Sequence, residues 1–506
     1  MSQVQTYDPR SGAKRDAGLA ETTAAEVAAA CARAAEAAVQ LADLHTWTLS
    51  RRASALRAVA DRIETHTDEL AAVADEETAL GTPRMNSEIV RTVGQLRLFA
   101  GAVEEGSFLE VVIDHADPNH QPIPRPDLRR MLQSIGPVGV FSASNFPFAF
   151  SVAGGDTAAA LAAGCPVIVK AHSGHPRTSA RTAELVAAAL ADAGAPAGTF
   201  DIIYGREAGR LLVTDPHVKA VGFTGSLQGG RALFDLAVSR PDPIPFYGEL
   251  GSLNPAIVTP AAVAARGKEI VSGFVGSFTL GAGQFCTKPG LLFLPTGHHL
   301  EPALAEVLAD VPAAPLLTPG IRDGFCQRID HVSGSHDVRL IAGNHAADDL
   351  AVPPRLYATS TAAIVANPGL ADECFGPAAL VVEWQDEDDL LEALDVVAGS
   401  LTATVHAEDE DRSLSERLLG RLRRFAGRII WNGWPTGVAV AWSMHHGGPW
   451  PATTIPLHTS VGVTSIRRFL VPVVYQNTPQ NLLPDVLRDG NPLGIPRRED
   501  GTLRVT

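Results

Sequence analysis

The feature that most constrains this 506-residue chain is a regular alternation of short apolar runs and helix-like segments between residues 136 and 251. Gly136–Ser142 reads as a strand, and Phe148–Ala163 as the helix that follows it. Pro166–His172 is a second strand, with a helix over Arg177–Ala193. Thr199–Gly205 and Val218–Gly225 continue the strands, the latter leading into a helix at Leu227–Val238. Pro243–Gly251 closes the series. Strands joined through helices by short connections lie parallel, so this region is a doubly wound α/β sheet. Ligands of such sheets sit at the carboxyl ends of the strands, and residues there are the ones to inspect.

The flanking regions read differently. Glu21–Ala42 and Arg51–Leu80 are alanine-rich with charges at helical spacing. Pro118, Pro122, Pro124 and Pro126 make Asp114–Arg130 an extended excursion. From Ser252 to about Val461 a second α/β region follows, with strand-like "GLLFLP" and "AALVVEW"; Val463–Thr506 reads as an extended arm. A composition of 45% hydrophobic and 19% charged residues supports large cores. The net charge of −15 argues against nucleic-acid or anionic-membrane partners, which need a basic face. There is no uncharged apolar run of the roughly 18 residues that a membrane span needs. Arg10, Lys14, Arg15 and Asp16 argue against a secretory signal. Cys31, Cys165, Cys286, Cys326 and Cys374 form no CxxC pair, so neither a disulfide framework nor a zinc site is expected. The expectation is a cytoplasmic enzyme.

Several residues near strand ends carry chemistry. Cys286, in "GAGQFCTKPG", follows small residues that let backbone approach a ligand, but the same residue also suits a buried apolar position. Glu249, in "YGELGSLNP", can serve as a general base or stand as a surface carboxylate. Asn145, in "SASNFPF", can donate to an oxyanion or cap a helix. Lys170 ends the strand "CPVIVK", where a cation reaches ribose or phosphate or is simply solvated. Gly225 and Ser226, in "FTGSLQGGR", open a helix whose free N–H groups suit a pyrophosphate, though this is not the G-x-G-x-x-G pattern.

Singly these signals are ambiguous, but their order is specific. "SNFPF", "GCPVIVK", "FTGS", "ELGSLNP", "GQFC" and "ECFGP" resemble the aldehyde dehydrogenase superfamily across nearly the whole chain. The longer stretches "GVFSASNFPFAFSVAGGDTAAALAAGCPVIVKAHSGHPRTS", "HGGPWPATT" and "NPLGIPR" are similar to the α-ketoglutaric semialdehyde (2,5-dioxovalerate) dehydrogenase branch. The resemblance implies Cys286 as nucleophile, Glu249 as general base and Asn145 as oxyanion donor beside the Cys286 N–H. It implies Lys170, Glu373 and Phe375 as cofactor contacts, with Gly225 and Ser226 at the pyrophosphate. Phe146, Phe150 and Phe285 would line the substrate tunnel, and no metal is required.

Three departures from the superfamily pattern bear on specificity. Ser252 and Leu253 replace a usual Gly-Lys, and Phe285 before the nucleophile narrows the tunnel. Ser173 stands where NAD-preferring members often carry Glu. That change favours NADP, with NAD possible, and Arg206 is placed to pair with a 2′-phosphate or to remain solvated. For a distal 2-oxo acid, Arg91, Arg97, His458 and Ser460 are candidates. The resemblance further implies three parts: a dinucleotide-binding domain over 1–112 and 133–251, a catalytic domain over 252–460, and an oligomerisation element from 113–132 and 461–506. A homodimer or tetramer is implied. The expected reaction is oxidation of 2-oxoglutarate semialdehyde to 2-oxoglutarate. The alternatives are a fatty or other simple aldehyde dehydrogenase, a member that passes its acyl group to coenzyme A, which Glu249 opposes, and a catalytically silent protein of the same fold.

Overall fold

The computed structural model describes residues 2–343 and 350–505. Its first α/β unit is a five-stranded, all-parallel sheet. The strand order is Phe200–Ile203, Val167–Lys170, Val138–Phe141, Ala220–Thr224, Phe246–Glu249. Each strand lies inside one of the expected runs, shortened at both ends. Val138, Val140, Val167 and Val169 pack into a core shared with the helices Leu49–Thr65 and Thr82–Glu105. Phe141, Ile168, Ile203 and Val221 point into a second core on the opposite face. Burial on both faces explains why these strands read as continuous apolar runs rather than alternating ones. The order reverses between Val138–Phe141 and Ala220–Thr224, which puts the crevice at their carboxyl ends.

Three local expectations are corrected. The helix after the first strand spans Gly155–Ala163, not Phe148–Ala163. Before it the chain makes turns, with Phe150 N–H bonded to Phe146 O (3.4 Å), Ala143 N–H to Phe150 O (2.9 Å) and Gly155 N–H to Ala149 O (3.1 Å). Pro147 supplies no N–H, and Gly154 leaves helical geometry, so the helix starts late. A nine-residue helix at Arg206–Thr214 fills the connection between the third and fourth strands. Arg51–Leu80 is two helices, Leu49–Thr65 and Thr67–Thr78, meeting at His66 and ending before left-handed Ala79 (φ 56°).

The second unit holds a seven-stranded sheet. Its order is Arg339–Gly343, Arg355–Ser360, Ala378–Trp384, Leu291–Pro295, Ala256–Val258, Ser400–His406, Ala426–Trp431. Only the first pair is antiparallel. Alternate residues again serve two cores, with Leu291 and Phe293 on one face and Leu292 and Leu294 on the other.

A third sheet unites distant sequence, in the order Leu470–Gln476, Leu128–Ser134, Val111–Asp114, Arg497–Glu499, Thr502–Arg504. The tail is thus built of strands and short 3-10 turns rather than a plain extended arm. The proline-rich stretch is irregular, pinned by a bridge between Asp117 and Arg125.

Between Trp431 and Val463 the chain leaves the seven-stranded sheet and crosses to the five-stranded one. Thr453 bridges to Glu249, Leu250 N–H donates to Ala452 O (2.8 Å), and Thr454 N–H to Gly248 O (3.1 Å). Arg468 then pairs with Asp156 at 2.7 Å, both nearly buried, locking the crossing chain to the helix Gly155–Ala163. No helix among the described residues is long and apolar enough to cross a membrane.

Candidate active site

Three chain segments meet where the two α/β units face each other. Glu249 ends the last strand of the five-stranded sheet. The crossing segment covers it, so the carboxylate is 2% exposed rather than on the surface. Cys286 lies on the loop after the helix Pro260–Thr279 and the short turn Leu280–Gly283. His446 comes from the crossing segment and is 1% exposed.

His446 Nε2 lies 3.4 Å from Cys286 Sγ and 3.0 Å from Glu249 Oε1. The other carboxylate oxygen accepts a 2.5 Å hydrogen bond from Ser460 Oγ. Burial alone would raise the Glu249 pKa, but the charge and hydrogen bond of His446, with Ser460 and Cys286, hold it below the usual carboxylate range. Burial and the neighbouring Glu249 charge push the Cys286 thiol well up, opposed in part by Arg91. Among the described residues His446 Nδ1 is buried without a partner, so the ring's polar contacts to Cys286 and Glu249 run through Nε2 alone.

Backbone geometry holds this cluster. Asn254, fully buried at φ 53°, donates to Cys286 O (2.8 Å) and Lys288 O (2.9 Å), and accepts from Ser252 Oγ, Thr402 N and Thr402 Oγ1. The amide ties the nucleophile loop to the strand Ser400–His406. At Gly283 (φ 67°) a Cβ would lie 2.1 Å from Gly376 O, so the loop can seat against "ECFGP" only with glycine there. Gly448, beside His446, has the same constraint, since a Cβ would lie 2.2 Å from Ser400 O. Lys288 spends its ammonium on three carbonyls, Cys374 O (2.5 Å), Ala378 O (2.8 Å) and Gly376 O (3.2 Å).

Asn145 lies just past the strand Val138–Phe141, and its Nδ2 donates to Gln284 O at 2.8 Å. An amide nitrogen has two hydrogens, so one stays free to point elsewhere. The phenylalanines cluster. Phe146 packs edge-on against both Phe150 and Phe285, each at 5.2 Å, and Arg84 stacks on Phe146 and Phe285. The Phe150 ring lies 6.3 Å from that of His446. The aromatic wall thus leads to the thiol.

The candidate cofactor residues gather at the strand ends. Lys170 ends its strand and Arg206 opens the helix after the next one, close enough that burial and the Arg206 charge lower the Lys170 pKa to about 8. Ser173 is exposed in the loop after Lys170. Gly225 and Ser226 turn into the helix Leu227–Val238, where Ser226 Oγ accepts from Gly229 N (3.2 Å). Glu373 and Phe375 sit across the crevice on the loop that Lys288 holds. Burial raises the Glu373 carboxyl to about 7, tempered by Lys288 and a hydrogen bond from the Ser252 N–H. Arg97 is not at this site, because exposed ion pairs with Asp61 (2.7 Å) and Glu64 (2.5 Å) engage it. His458 packs on Tyr247 (5.4 Å) on the far side of Glu249, and Ser460 serves Glu249 itself.

The family model for the aldehyde dehydrogenase family matches residues 2–449. The chain belongs to this family. It is 48% identical to α-ketoglutaric semialdehyde dehydrogenase 2 of Azospirillum brasilense over 98% of this chain and 96% of that one. It is 46% identical to α-ketoglutaric semialdehyde dehydrogenase of Acinetobacter baylyi, over 93% and 91% respectively. In fold it matches a point variant of betaine aldehyde dehydrogenase from Staphylococcus aureus with NAD+, at TM-score 0.80, 20% identity and 96% coverage of each chain. This aldehyde dehydrogenase is an NAD(P)-dependent, aldehyde-oxidising enzyme with the expected α/β fold.

The residues of this aldehyde dehydrogenase fit a nicotinamide dinucleotide. Lys170 and Arg206 are adjacent cations, and burial destabilises the lysine's charge until an anion joins them. The first turn of the helix Leu227–Val238 offers backbone N–H groups to a pyrophosphate.

Proposed function

We propose that the enzyme oxidises 2-oxoglutarate semialdehyde to 2-oxoglutarate with NADP+ in preference to NAD+, through a covalent Cys286 intermediate. The observation that carries the chemistry is His446 Nε2 lying between Cys286 Sγ and Glu249 Oε1. Sequence identity of 46–48% over more than nine-tenths of each chain to two relatives named for this substrate supports the choice of aldehyde.

In this reading the thiol gives its proton to His446 Nε2, and the resulting imidazolium is paired with the Glu249 carboxylate. The thiolate adds to the aldehyde carbon, and the free Asn145 N–H, with the backbone N–H of Cys286, stabilises the alkoxide. The bound oxidised nicotinamide supplies the hydride acceptor. Collapse of the tetrahedral adduct leaves a Cys286 thioester. Glu249 then takes a proton from the attacking water, and Cys286 leaves as thiolate. Ser460 fixes the carboxylate for that step.

Arg206 and Ser173 accommodate the 2′-phosphate, which a glutamate at 173 would repel. Glu373 and Phe375 complete the cofactor side, with Lys170 on the ribose and Gly225 and Ser226 at the pyrophosphate. The edge strand Leu470–Gln476 exposes Val474 and one unpaired backbone edge, which suits pairing with a second copy in a dimer or tetramer. A cytoplasmic setting suits the five unpaired cysteines.

Initial rates with 2-oxoglutarate semialdehyde and hexanal, each with NADP+ and NAD+, test the assignment. Fast semialdehyde turnover with NADP+ is expected. Preference for hexanal moves the enzyme to the simple-aldehyde alternative.

A further inference from the structure

Three guanidinium groups lie by the aromatic wall or act on the reactive thiol, and they differ in what they already hold. Arg84 donates through Nε to Glu88 (3.1 Å) and through a second nitrogen to Asn145 O (2.6 Å). Its Nη1 is buried without a partner, but its other two nitrogens fix it to Glu88 and to the Asn145 turn. Arg428 donates to Pro435 O (2.7 Å) and Gly437 O (3.3 Å). Arg91 holds nothing. Among the described residues it forms no hydrogen bond and no ion pair, and its Nη2 is buried without a partner. Its guanidinium lies 4.9 Å from the centre of the Phe150 ring, and its charge acts on Cys286 and Glu249.

We propose that Arg91 binds the distal carboxylate of the substrate, making this part of the tunnel an anion subsite beside the nucleophile. The inference rests on the reading of the substrate as an aldehyde that carries a remote 2-oxo acid. Leaving the buried Nη2 without a partner is unfavourable, and a carboxylate delivered by the substrate satisfies it. The planar donor fork matches a carboxylate in a way an isolated ammonium does not. Glu88, one helical turn away on Thr82–Glu105, is a poor competitor for it. Its oxygens already receive Arg84 Nε (3.1 Å) and the Phe148 N–H (3.5 Å). Burial also raises the Glu88 carboxyl to about 7, which weakens its charge near neutrality. The stack on Phe150, whose ring lies 6.3 Å from that of His446, holds the guanidinium on the side of the aromatic cluster that adjoins the thiol's histidine partner.

The test is the ratio of kcat/KM for 2-oxoglutarate semialdehyde to that for pentanal, in wild type, Arg91→Gln and Arg91→Lys. A ratio cancels any general effect on the thiol or on folding. Wild type is expected to favour the acid aldehyde. Arg91→Gln should lower the ratio about 100-fold, and Arg91→Lys should recover part of it. The inhibition constant of 2-oxoglutarate against pentanal oxidation should rise in parallel. A wild type without preference for the acid aldehyde would sink the substrate reading. A wild-type preference that Arg91→Gln retains, or an equal loss on both aldehydes, overturns the Arg91 subsite alone.

Discussion

The thiol cluster and the cofactor rim teach opposite lessons. Around Cys286, the groups that hold the nucleophile loop and the Glu249 carboxylate are spent within the protein, and the polar atoms left over include His446 Nδ1 and Arg91 Nη2. Glu249 has His446 and Ser460, Asn254 bonds to four residues, and Lys288 has three carbonyls. At the rim, Lys170 and Arg206 face one another as like charges, Ser173 is exposed, and the helix at Ser226 offers its N-terminus. The first region is set by packing before any ligand arrives, as a site that stabilises developing charge should be. In the proposed reading the second is completed by its ligand. Substitutions in the first should therefore change kcat or stability, and those in the second should change cofactor KM.

The largest expected break is at the nucleophile. Cys286→Ala should lower turnover by at least about 10⁴-fold while leaving NADPH binding, followed by fluorescence quenching, within about 2-fold. Glu249→Gln should come next, with a fast burst of NADPH near one per site and a steady rate lowered about 10²–10⁴-fold, read by stopped flow. His446→Gln should cost about 10²-fold and change the pH profile. The Cys286 thiol titrates above its ordinary value, so wild-type kcat/KM should climb as pH rises towards the alkaline side. Without His446 to take the proton, the variant's rising limb should move to still higher pH. Arg206→Gln should raise the NADP+ KM by about 10- to 100-fold and the NAD+ KM by under about 3-fold, a split confined to the rim. The smallest effect on chemistry belongs to Asn254→Ala. It strips support from buried carbonyls and should lower stability by about 2–4 kcal/mol in urea titration.

The sequence was most legible where period and motif agree. The parallel sheet was readable because strands buried on both faces are continuous apolar runs. The order of their motifs points to Cys286, Glu249 and Asn145, and the structure brings all three segments to one crevice. His446 was not singled out, although "HGGPWPATT" was noticed. A histidine in a loop carries no periodic signal, and only the paired glycines behind it hint at close packing. Asn254 reads as a turn beside Pro255, since its bonds to Cys286, Lys288 and Thr402 reach chain far away in sequence. Lys288 was silent for the same reason. Arg97 drew attention for its charge, yet that charge is absorbed by two acids on a neighbouring helix. The helix Arg206–Thr214 escaped because nine residues give too few turns to establish a period.

The central claim is that Cys286 carries the acyl group and Glu249 releases it. Intact-mass and peptide analysis of Glu249→Gln, acid-quenched after mixing with 2-oxoglutarate semialdehyde and NADP+, tests it most directly. The account requires a single 2-oxoglutaryl thioester on the Cys286 peptide, absent when oxidised cofactor is omitted. NADPH formation with Cys286 left unmodified, or an adduct on another residue, would contradict it.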